Sequence, residues 1–299
     1  MKKYTSKILL FGEHSVIKGS QALAMPLPNF FGSWSKTKEN TKQVQMNLVD
    51  FSDYLLQLKN DKTLLCDLDI EGLKHELGRG LFFESNIPTG YGVGSSGALC
   101  AAIYDTFCLD KLSKTEGDFL PLKKIFAQLE SYFHGSSSGT DPLICYLEKT
   151  LLLESKDIIK AVDIAPQKNY QLFLLDTKIR RATEPFVNIF LEKCTDENYF
   201  ARIQSELNPA VDEAIAAFLS QSEKLLFEKI HEIGHFQFKY FQEMILDDFR
   251  SIWLDALASD FFKIKLCGAG GGGFILGMTY DFEKTKNHLQ QFTLIPISI

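Results

Sequence analysis

The chain has 299 residues, 45% of them hydrophobic and 23% charged, which is the make-up of a soluble globular protein with one large domain or two of about 150 residues. Its formal net charge of −6 gives no general attraction for phosphate backbones or anionic lipids, so neither nucleic acid nor a membrane surface is an expected partner. No apolar run approaches the ~20 residues that a bilayer span needs.

From the N-terminus, MKKYTSKILLFGEHS opens basic, but its apolar run lasts only from Ile8 to Phe11 before Glu13 and His14, a pattern unlike a signal peptide. SKILLFGEHS reads as a short strand and turn, ALAMPLP as a second extended piece, and the weak alternation over residues 44–57 as a further strand. From SSGALCAAIYDTF the period changes. Leu99, Ile103 and Phe107 recur at four-residue spacing and predict a helix with one buried face. PLKKIFAQLESYFHG predicts another, with Pro121 near its start and Gly135 past its end. TLLLES and YQLFLLDTK read as strands, residues 197–262 as a helical block, and FFKIKLC and FILGMTY as strands flanking GAGGGG. The whole is α+β in two domains, 1–167 and 168–299, joined near PQKNY. Cys66, Cys100, Cys108, Cys145, Cys194 and Cys267 make no CxxC pair and read as reduced core residues of a cytoplasmic protein.

The stretch SNIPTGYGVGSSGAL places glycines at 90, 92 and 94 and serines at 95 and 96 directly before a helix. Glycine admits positive φ and close approach to the backbone. With Ser95 or Ser96 as cap, such a loop aims N–H groups and a positive helix end at one point, which is an anion site suited to phosphate. The plainer alternative is a glycine turn with a serine cap. GxGxxG does not fit, because position 95 is Ser, and Walker A does not fit, because Ala98 stands where its Lys belongs. The helix dipole contributes roughly 0.3–1 kcal/mol, against about 8 kcal/mol for micromolar binding. A base pocket, a metal ion and cationic side chains must therefore assist.

PTGYGVGSSGA resembles the central motif of the GHMP kinases, usually PxGxGLGSSA, with Val93 for Leu and Gly97 for Ala. KILLFGEHSVIKG is similar to the N-terminal motif of that superfamily and KLCGAGGGGF to its C-terminal glycine motif, so the three lie in order from Lys7 to Phe274. Within the superfamily, GEH followed by SVI, HGSSSGTDP and DTKIRRAT resemble the mevalonate kinase forms GEHAVxxG, HGxPSGxD and TKxxRxT. Lys18 stands where that form has an aromatic residue or His, and Ser137 where it has Pro.

The resemblance implies a two-domain GHMP kinase fold, N-terminally ribosomal protein S5 domain 2-like and C-terminally ferredoxin-like, with its active site in the cleft between the domains. It implies ATP and Mg²⁺ as cofactors, mevalonate as the small-molecule substrate, and a monomer or homodimer. Asp141 is the implied catalytic carboxylate on the terminal hydroxyl, with Lys7 as the cation beside it. Pro88, Gly90, Gly92, Val93, Gly94, Ser95, Ser96 and Gly97 would hold the nucleotide phosphates. Glu130 and Ser96 would bind Mg²⁺, with Ser95 as the alternative hydroxyl. Glu13, His14, Arg181, Thr183, Gly270 and Gly271 would line the substrate, although Arg180 is an equally placed guanidinium. His134 is read as orienting its loop. The five glycines of residues 268–273 exceed what a hairpin needs and suggest backbone packed on a ligand or on the first glycine loop. Rival readings are another GHMP kinase acting on phosphomevalonate, a sugar or homoserine, a diphosphomevalonate decarboxylase, and a non-catalytic nucleotide sensor.

Overall fold

The computed structural model describes residues 2–36, 42–166, 169–180 and 184–298. The chain forms two compact units that are interleaved in sequence. Unit 1 is Met1–Lys7, Pro26–Pro88 and Gly94–Lys149; unit 2 is Ile8–Met25, Thr89–Val93 and Thr150–Ile299. The sequence reading drew one division near residues 165–170. The units divide elsewhere because strands β1 (Lys3–Phe11) and β2 (Ala22–Lys36) each contribute residues to both.

In unit 1, β2 is followed by helices α1 (Lys42–Asn60) and α2 (Ile70–Gly78), strand β3 (Leu81–Ser85), and helices α3 (Ser95–Phe107), α4 (Phe119–His134) and α5 (Thr140–Leu147). β3 pairs antiparallel with β2, Gly32 opposite Ser85 through Lys36 opposite Leu81. Residues 44–57, expected as a strand, lie inside α1. Their buried side chains Leu48, Phe51 and Leu55 fall three and four apart, so helical spacing prevails over a weak alternation. Helix α3 forms where expected, but its burial is not one-sided. Leu99 is only half-buried, while Cys100, Ala101, Ala102, Ile103 and Tyr104 are all buried. Small residues let α3 run through the middle of the unit, packed on α4 and α5. Tyr104 anchors it edge-on against Phe126 and Tyr146, with ring centroids 5.2 and 5.1 Å away. Asp69 caps α2 by accepting from the Gly72 N–H at 2.9 Å, and Gly135 ends α4 with φ of 70°.

Unit 2 continues with strands β4 (Leu151–Ser155), β5 (Ile158–Ala161) and β6 (Gln171–Asp176), then helices α6 (Glu184–Lys193), α7 (Glu197–Arg202), α8 (Asn208–Leu219), α9 (Glu223–Tyr240) and α10 (Arg250–Ala258). Strands β7 (Phe262–Leu266) and β8 (Phe274–Thr279), helix α11 (Phe282–His288) and strand β9 (Thr293–Pro296) close the chain. β4 pairs antiparallel with β2 over Ala22–Ala24 and with β5. The second sheet has the order β7-β8-β6-β9, antiparallel throughout. Every residue of β7 and β8 is buried, including Lys263 and Lys265, which interrupt the apolar residues of β7. Helices α9 and α10 pack on β7. Gly234 lets α9 approach the Ile264 carbonyl, and the Trp253 indole N–H donates to the Gly234 carbonyl at 2.9 Å. Among the described residues no helix is long and apolar enough to cross a membrane.

Candidate active site

Four of the sequence-nominated side chains converge in unit 1. Lys7 leaves β1 and its Nζ lies 2.8 Å from Asp141 Oδ2; the lysine side chain is 8% exposed and the aspartate 36%. Asp141 sits in the first turn of α5, where an acid is favoured by the positive helix end. A Cβ on Gly97 would come within 3.0 Å of the Asp141 carbonyl carbon and of Pro142 N, so the start of α3 and the start of α5 touch through a missing side chain. A Cβ on Gly94 would come within 2.9 Å of Lys7 Cγ. The glycine, with φ of 80°, thus leaves room for the lysine stem.

Gly94 is the N-cap of α3, and no side chain caps it. The serines expected as caps stand inside the first turn instead. Ser96 is turned toward α4: its hydroxyl donates to Glu130 Oε1 at 2.9 Å and lies 3.0 Å from His134 Nε2. Because the single hydroxyl proton goes to Glu130, His134 presents Nε2–H to Ser96 Oγ in this arrangement. The first N–H groups of α3 therefore keep no intrahelical partner and no side-chain cap, which is the geometry of an anion site.

Glu130 is buried on the last turns of α4, and its second oxygen accepts from the Ser137 hydroxyl at 2.5 Å. Burial, and next the charge of Asp141, push its carboxyl up from 4.5 to about 7; the Ser137 and Ser96 hydrogen bonds and Lys7 oppose the rise. A buried carboxylate held only by hydroxyl donors, with a second hydroxyl oxygen beside it, suits a hard cation that prefers oxygen ligands. Among the described residues no group of three His, Cys, Asp or Glu side chains is gathered for a metal. Mg²⁺ does not require one, since it keeps waters and phosphate oxygens and takes one or two carboxylates.

The turn from α4 to α5 is fixed by Gly139, whose φ is 72° and whose added Cβ would run into the Lys123 carbonyl and the Ala127 nitrogen of α4. Both obstacles are backbone. Gly139→Ala is expected to destabilise the protein by about 3 kcal/mol in urea unfolding. A loss below about 1 kcal/mol would show that the turn is free to shift.

In the first glycine loop, Pro88 is half-buried and Val93 buried, while Gly90 and Gly92 take φ of 80° and 72°. The remaining nominated residues lie in unit 2 or outside the described residues. Glu13, expected to face substrate, is an interior group. It is ion-paired with Lys265, and the two side chains are 1% and 0% exposed. Lys265 also donates to the Leu266 carbonyl at 2.8 Å and lies over the Phe11 ring. Lys265→Met leaves a buried carboxylate without its cation and is expected to cost about 3–5 kcal/mol of stability; adding Glu13→Leu should recover most of it. Strictly additive losses in denaturant melts would contradict the pairing.

His14 has φ of 61°, is 5% exposed, and its Nε2 lies 3.1 Å from the Ala269 carbonyl, with Phe190 and Phe241 against the ring. The glycine run between β7 and β8 packs on the protein itself. Gly271 N–H donates to the Met244 carbonyl at 2.7 Å, a Cβ on Gly270 would meet that same carbonyl, and one on Gly273 would come within 2.8 Å of the Tyr91 carbonyl. Gly273 thus packs on the first glycine loop, at Tyr91, while Gly270 and Gly271 pack on Met244 and Phe186. Gly271 N–H is thereby already engaged. Arg180 is exposed; Arg181 and Thr183 lie outside the described residues.

Residues 59–149 match the family model described as GHMP kinases N terminal domain. A mevalonate kinase of Thermococcus gammatolerans is 28% identical over 158 residues, which is 46% of this chain and 47% of that protein, so the match spans about half of the relative's length. Over nearly the full chain, the fold is similar to that of L. major mevalonate kinase in complex with R-mevalonate, with TM-score 0.63, 18% identity and coverage of 97% and 90%. It is also similar to Streptococcus pneumoniae phosphomevalonate kinase in complex with phosphomevalonate and AMPPNP, with TM-score 0.67, 13% identity and 99% of both chains covered. The α+β fold with two sheets is thus the GHMP kinase fold over nearly the full chain, and residues 59–149 match the N-terminal domain of that family.

Proposed function

We propose that this chain is an ATP-dependent, Mg²⁺-requiring kinase of a small-molecule alcohol, and that the alcohol is mevalonate, phosphorylated at its terminal hydroxyl by direct transfer. The observation that carries the reading is the Lys7–Asp141 pair, 2.8 Å apart, against the first turn of α3. Asp141 orients the hydroxyl and takes its proton as the oxygen attacks the γ-phosphorus. In a loose phosphoryl-transfer transition state that proton leaves late, so position matters more than basicity. Lys7 pairs with Asp141 and stabilises the developing alkoxide. The α3 N–H groups after Gly94 hold phosphate oxygens. Glu130 and Ser96 hold Mg²⁺, which when bound neutralises phosphate charge and aligns the transferring group. His14, and Arg181 with Thr183, are the candidates for the rest of the substrate. ATP use agrees with a cytoplasmic setting, as do six free thiols.

Mevalonate is favoured by the HGSSSGTDP and TKIRRAT segments and by the mevalonate kinase relative. Phosphomevalonate is the second reading, because overall fold similarity does not separate the two. Coupled ADP release with R-mevalonate, phosphomevalonate, galactose and homoserine tests the choice. The proposal expects turnover with R-mevalonate; turnover with another acceptor and none with R-mevalonate would overturn it.

A further inference from the structure

We propose that Ser137 is a positioning residue that orients the Glu130 carboxylate for the metal and couples it to the start of α5, which carries Asp141. The inference rests on the reading of Glu130 and Ser96 as the metal-holding pair. Among the three consecutive serines after Gly135, Ser136 and Ser138 are exposed, and Ser137 alone is half-buried. Its hydroxyl donates to Glu130 Oε2 at 2.5 Å and accepts from the Gly139 N–H at 3.0 Å. A hydroxyl has one proton, so the direction of both bonds is fixed: Gly139 N–H to Ser137 Oγ, and Ser137 O–H to the carboxylate.

This relay joins two elements. Glu130 belongs to α4; Gly139 is the N-cap of α5, two residues before Asp141. Gly139 is itself pressed on the α4 backbone at Lys123 and Ala127, so the relay has a rigid footing. With Oε2 held by Ser137 and Oε1 directed at Ser96, the carboxylate cannot turn about its own axis without breaking two charge-assisted hydrogen bonds. One carboxylate oxygen and one hydroxyl oxygen are thereby kept side by side. Remove the Ser137 hydroxyl, and Glu130 recovers rotational freedom while the Gly139 N–H loses its acceptor. The mevalonate kinase form of this segment has Pro here, which offers no hydroxyl, so this support is a feature of the present chain.

Ser137→Ala and Ser137→Thr in the full chain test the role. Outer partners of a metal ligand are typically worth 10–100-fold in metal affinity. Ser137→Ala should therefore raise the Mg²⁺ concentration for half-maximal turnover about ten-fold, with kcat at saturating Mg²⁺ falling much less. Ser137→Thr, which keeps the hydroxyl, should restore the Mg²⁺ dependence. A second readout needs no acceptor: Mn²⁺ binding followed by electron paramagnetic resonance in the presence of AMPPNP, where Ser137→Ala should weaken binding by the same factor. If the chain phosphorylates none of the acceptors but Mn²⁺ binding shows this loss and its rescue by Thr, the role of Ser137 stands and the substrate reading fails. Equal Mn²⁺ binding by wild type and Ser137→Ala, or a Thr variant as weak as the Ala variant, overturns it. Absence of Mn²⁺ binding by the wild type with AMPPNP overturns it together with the metal reading of Glu130.

Discussion

Replacing Asp141 with Asn should lower kcat by about 10³-fold while nucleotide affinity stays within about three-fold of wild type. Asn keeps the volume and the start of α5 but cannot take a proton, and it leaves the Lys7 ammonium without its anion. In the proposed reading phosphate is bound by main-chain groups after Gly94, which the substitution leaves in place. Lys7→Met should cost less, since it removes charge stabilisation but leaves the base. If the two act as one unit, the double variant should be little worse than Asp141→Asn alone. Steady-state ADP release with fluorescence titration of an ATP analogue measures both quantities. A variant that retains turnover excludes Asp141 as the base. A nucleotide sensor of this fold would keep its output in Asp141→Asn.

The second large effect is at Glu130, where Gln should weaken metal-dependent turnover by about 10²-fold, because Mg²⁺ loses its buried carboxylate. A pH dependence accompanies it. Burial pushes the wild-type carboxyl up to about 7, and in the proposed role it must be ionised to hold the metal. At sub-saturating Mg²⁺ the rate should rise as the pH goes up through about 7 and then level off, whereas Glu130→Gln should lack this step. The metal-free protein should show the opposite sign in its stability. Between about pH 4.5 and 7 the folded chain holds a proton on Glu130 that the unfolded chain has released, so raising the pH through that window destabilises the fold. The full shift corresponds to on the order of 3 kcal/mol, lost as the pH rises and absent in Glu130→Gln. Urea melts at several pH values in chelator check this. A wild-type slope equal to that of the variant would place the titration elsewhere.

The sequence carried the unit 1 cluster well because its parts are short motifs with local geometric demands. Gly94 needs a positive φ, and Gly97 has no room for a Cβ against Asp141, so both glycines are visible as glycines. The buried strands β7 and β8 were legible as the short segments FFKIKLC and FILGMTY flanking GAGGGG. Helix α1 was not, because its apolar positions satisfy alternation almost as well as helical spacing until tertiary burial selects Leu48, Phe51 and Leu55. Glu13 beside His14 was expected to line the substrate, since nothing local announces a partner 252 residues away in Lys265. The interleaving of the two units was equally hidden, because it arises from two strands that continue through both. Ser137 was marked only as a departure from Pro; the position of Glu130 across the turn gives its hydroxyl a partner.

A crystal structure with R-mevalonate, Mg²⁺ and AMPPNP tests the central claim most directly. The account predicts the terminal hydroxyl within hydrogen-bonding reach of the Asp141 carboxylate, phosphate oxygens on the first turn of α3, and the metal on Glu130 and Ser96. Nucleotide phosphates seated away from that turn, with Asp141 still paired to Lys7 and facing no acceptor, would contradict it.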